Sequence, residues 1–70
     1  MTTQENVDDM YKTLQDGANI YATMFLSKLI MDDNGVDTST VNTMLTSHEE
    51  TLRKQIKLYR LLEKDLQNKE

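Results

Sequence analysis

Apolar residues fall at Val7, Tyr11, Leu14, Ala18, Tyr21, Phe25 and Leu29, in steps of four and three, with Met10, Gly17, Met24 and Met31 beside them. That spacing gathers side chains on one face of an α-helix and predicts that Val7 to Leu29 form its buried stripe. The pattern stops at Asp32-Asp33-Asn34-Gly35-Val36-Asp37, and a second one follows. In it Leu45, Leu52, Tyr59 and Leu66 recur every seven residues, and Val41, His48, Gln55 and Leu62 form the companion row. The pattern predicts a first helix over about 3–31, a turn over 32–37 and a second helix over about 38–68, together a single domain spanning 1–70. The expected fold class is all-α: an antiparallel two-helix hairpin.

Local signals agree with these limits. The first helix can begin at Thr2 or Thr3, because Thr2 with Glu5 has capping-box spacing. Asn34-Gly35 suits the left-handed end of a helix, with Val36 placed to make the apolar contact that commonly follows. Asp37 then serves as N-cap of the second helix, with Val36 and Val41 at staple spacing. The aspartates of the turn do not spell a calcium loop, since the glycine falls in the wrong place and the final acidic ligand is missing. Acid-first pairs Glu49–Arg53, Glu50–Lys54 and Asp65–Lys69 decorate the second helix.

Between Ile20 and Met31 the first helix is apolar in almost every direction, with Thr23, Ser27 and Lys28 as its main polar positions. One neighbouring helix cannot cover such a surface. The expectation is therefore a homodimer that closes into a four-helix bundle. Tyr21, Met24, Phe25, Leu26, Leu29, Ile30, Met31, Met44, Leu45, His48 and Leu52 are the candidate partner or dimer interface. At helical spacing Tyr11, Tyr21, Phe25 and the five methionines read first as ordinary core, while the unbranched thioether, which repacks against different shapes, also suits a protein-binding surface.

Charge sharpens this picture. The net charge is −4, but residues 1–37 carry seven acids and two lysines while residues 38–70 carry five acids and six bases. An antiparallel hairpin thus sets an acidic helix beside a mildly basic one, which favours that pairing over others. Arg53, Lys57, Arg60 and Lys64 step by four, three and four along one face of the second helix. They are the candidate phosphate contacts of an alternative reading, a small dimeric nucleic-acid-binding regulator.

Chemistry is harder to find. There is no cysteine, no paired-carboxylate pocket and no glycine-rich phosphate loop, so no catalytic residue, cofactor site or metal site is expected. His48, the single histidine, lacks a metal-binding neighbour three or four residues on and reads as part of a polar layer with Gln55. No segment is apolar enough to span a bilayer and no secretory signal is visible, so the expected setting is cytoplasmic. In length, and in two helices joined by a tight turn, the chain resembles the small dimeric Rop-type hairpins that bind RNA. It shares no motif with them, and its first helix is acidic where an RNA-binding face would carry lysines. The leading expectation is a non-enzymatic protein–protein interaction module that regulates or inhibits another protein, with a structural assembly role as a further alternative. Compact, cysteine-free regulators of this size are common on phages and other mobile elements, an association of size and composition alone.

Overall fold

A computed structural model describes residues 2–68. Two helices account for nearly all of them: α1, Gln4–Asp33, and α2, Ser39–Gln67. Helix α1 starts one residue later than the Thr2–Glu5 spacing suggests. Thr3 is its N-cap, and its capping box is closed by Asn6, whose backbone N–H donates to Thr3 Oγ1 at 3.2 Å while its side chain accepts from Thr3 N–H at 3.0 Å. The shift lets a short amide, rather than the longer Glu5, answer the threonine.

The end of α1 follows from Gly35, which has φ +71°. Its N–H donates to Asp32 O at 3.1 Å, and Val36 N–H donates to Met31 O at 2.9 Å. These two bonds satisfy carbonyls that the helix leaves open and turn the chain back on itself. Thr38, not Asp37, occupies the N-cap position of α2 and makes no side-chain capping bond. Asp37 does the equivalent work from one residue earlier, accepting from Ser39 N–H at 3.0 Å and Ser39 Oγ at 2.6 Å. Those bonds hold its carboxyl below the usual carboxylate range. With the cap moved, the staple register is lost, and Val36 is half exposed.

The helices run antiparallel, because contacts rise along α1 as they fall along α2. Tyr11 meets Tyr59 with ring centroids 5.8 Å apart, the Gly17 carbonyl meets His48, and Tyr21 stacks on His48 at 6.3 Å. In α2 the shielded row is the one its heptads predict: Val41, Leu45, His48, Leu52, Gln55, Tyr59, Leu62 and Leu66. In α1 the shielded row is Val7, Met10, Leu14, Gly17, Tyr21, Met24, Lys28 and Met31. The predicted stripe is corrected here, since Tyr11, Ala18, Phe25 and Leu29 are exposed. Gly17 explains the choice: a Cβ built on it would lie 2.8 Å from Leu52 Cδ2, so α2 approaches where α1 has no side chain. Among the described residues only Val7 and Leu45 are buried, and neither fully, in this thin structure, whose extents are 55 × 15 × 12 Å.

Candidate interaction surface

The candidate interface residues divide into two groups. Tyr21, Met24, Met31, Leu45, His48 and Leu52 belong to the hairpin's own seam, with Leu45 6% exposed. Phe25, Leu26, Leu29, Ile30 and Met44 stand outside it. They are joined by Ile20, which the candidate set omits although it begins the apolar run. Ile20, Leu26 and Ile30 are each more than half exposed even though both helices are packed.

These residues concentrate at one end. Of the eleven large apolar side chains left exposed among the described residues, seven lie between Ile20 and Met44, in the half of the hairpin nearest the turn. Over residues 20–48 the fully charged residues are only Lys28, Asp32, Asp33 and Asp37. On one side of this half, a shallow groove between the helices is lined by Ile20, Met24, Met44, Ser47, His48 and Thr51. On the other side lies the exposed row of α1, where the Lys28 amine sits 5.9 Å from the centre of the Phe25 ring. Lys28 thereby keeps its stem against the seam and its charge near an aromatic face.

His48 is a seam residue with a defined job. Its Nε2–H donates to Gly17 O at 2.8 Å. A carbonyl only accepts, so the proton must be on Nε2. The bond is possible because Gly17 leaves its backbone open to α2, and Tyr21 stacks on the other side of the contact.

The opposite, open end is polar. Tyr59 donates from its hydroxyl to Glu63 Oε2 at 3.2 Å, and partial burial, then the charge of Glu63, raise its pKa. Asp8, Tyr11, Tyr59 and Glu63 line a shallow cleft there. Arg53, Lys57 and Arg60 border a groove with Ile56, while Lys64 is exposed further along. Arg53 is bound to Glu49 at 2.9 Å. Among the described residues the Glu50–Lys54 pair does not close, and the Asp65–Lys69 pair lies outside them because of Lys69. No group of three or more His, Cys, Asp or Glu stands together among the described residues as a metal site. No described helix is long and apolar enough to cross a membrane.

No family model, curated protein or solved structure matches the chain.

Proposed function

We propose that this chain is a non-enzymatic interaction module, a homodimeric hairpin in a four-helix arrangement that regulates or inhibits another protein by presenting an apolar helical surface. The observation that carries the reading is the turn half of the hairpin, where Ile20, Phe25, Leu26, Leu29, Ile30 and Met44 stay exposed after the helices have packed. Contiguous apolar surface of this kind marks a site of association. The partner-binding part is the groove of Ile20, Met24 and Met44, which both helices shape together. Parallel affinity captures with wild type and with Ile20→Asp/Met44→Asp test it. A protein retained by wild type and lost by the folded variant supports the reading, and identical retention by both overturns it.

A second reading rests on the groove bordered by Arg53, Ile56, Lys57 and Arg60. As a phosphate contact it requires nucleic-acid binding that falls steeply with salt and weakens in Lys57→Gln/Arg60→Gln. Binding absent at low salt removes it.

A further inference from the structure

Helix α1 carries a second row next to the one that packs on α2. Tyr11, Gln15, Ala18, Ala22, Phe25 and Leu29 follow in alternating steps of four and three, the spacing of a helix–helix seam, and all are exposed. Leu14 and Tyr21 of the existing seam border it, so the two surfaces are continuous.

We propose that a second copy of this chain covers this row, with α1 antiparallel on α1 and the two helices overlapping over residues 14–33. The register sets Phe25 opposite Ala22 of the second copy and Leu29 opposite Ala18 of the second copy. This rests on the homodimer reading above and gives it a geometry.

Size, charge and the lengthwise distribution of apolar surface support this arrangement. In this register every apolar layer holds one large and one small side chain, so the layers fill without the large side chains colliding. Moving the register by one heptad sets Phe25 against Leu29 of the other copy, or against Gln15, and that fit is lost. Charge favours the antiparallel direction, because a parallel pair would gather Asp8 and Asp9 of both copies at one end and Asp32 and Asp33 of both copies at the other. The antiparallel register instead brings Lys12 within one turn of Asp32 and Asp33 of the second copy. The apolar distribution selects partial overlap. Near-full-length overlap would set Phe25 on Gln15, Leu29 on Tyr11 and Ala18 on Ala22 of the second copy, so the large side chains lose their small counterparts. The proposed register overlaps residues 14–33 of the two α1 helices, seats Ala18, Ala22, Phe25 and Leu29 against each other, and leaves the ends that carry Asp8 and Asp9 projecting. The Ile20–Met24–Met44 groove lies on the other side of the hairpin and stays open for a different protein.

The register centres between Thr23 and Met24, which makes it measurable. Thr13 is exposed and off the row, and the chain has no native cysteine, so Thr13→Cys gives one spin label per copy. At 1.5 Å per residue the two labels lie about 32 Å apart along the helix axis. The registers one heptad away place the labels about 21 or 42 Å apart along the axis and a parallel pair places them side by side, so any of those spacings overturns the register. Sedimentation of Ala22→Leu should show dimerisation weakened by about tenfold or more through overpacking, and adding Phe25→Ala should restore it to within about threefold. Failure of that rescue in a folded, dimeric wild-type background also overturns the register. A wild-type monomer at micromolar concentration overturns the dimer reading itself, so the two failures are told apart.

Discussion

Gly17 sets how closely the helices approach, and two opposed effects meet there. Alanine would relieve a helix-propensity cost of about 1 kcal/mol. Its Cβ would also lie 2.8 Å from Leu52 Cδ2, at the movable end of that side chain. The two offset, so Gly17→Ala should change unfolding free energy by less than about 1 kcal/mol, whereas Gly17→Val, with two further carbons, should cost about 1–3 kcal/mol by overpacking. Urea unfolding followed by circular dichroism reads both. Asp37 offers a pH test. Its folded carboxyl is held low by the Ser39 hydroxyl and backbone N–H, so its contribution is present above the unfolded carboxylate range and is lost as pH falls through the lowered folded value. Asp37→Asn should therefore reduce stability near neutrality and narrow its gap from wild type on acidification below about pH 4. An unchanged gap across that range would show that the carboxylate adds nothing.

Along the elements, the sequence spoke more clearly for α2 than for α1. Helix α2 has one dominant apolar row, so Leu45, Leu52, Tyr59 and Leu66 could face only one way, and they do. Helix α1 offers neighbours at each step: Met10–Tyr11, Gly17–Ala18, Met24–Phe25 and Lys28–Leu29. Periodicity alone favours the second of each pair, but α2 packs on the first. Nothing local in the sequence says that a missing side chain at Gly17 outweighs the apolar area of Phe25 and Leu29. The placement of Lys28 in the seam was equally hidden, because its solution depends on the nearby Phe25 ring. The same contrast separates two leucines of α2. Leu45→Ala should cost about 2–5 kcal/mol in thermal or urea unfolding, as expected for a buried leucine. Leu61→Ala, at a side chain 65% exposed, should stay within about 0.5 kcal/mol.

At the scale of the whole molecule the hairpin is a 55 Å rod with an apolar turn end and a charged open end. Association through the turn end should hold nearly constant as salt rises from about 0.05 to 0.5 M, since exposed charges are the groups that salt screens. Sedimentation at the two salt concentrations checks this, and a steep loss would point to the charged half instead. The meeting of Gly17 with Leu52 and His48 has a mechanical consequence. If α2 slid by one heptad along α1, Leu52 would face Met10 or Met24, and the Gly17 carbonyl would lose its His48 partner. The two helices are thereby pinned against shear, like rails fixed by one bolt. A slide would change every pairing along the seam, so this one crossing sets which residues of the two helices meet from the turn to the open end.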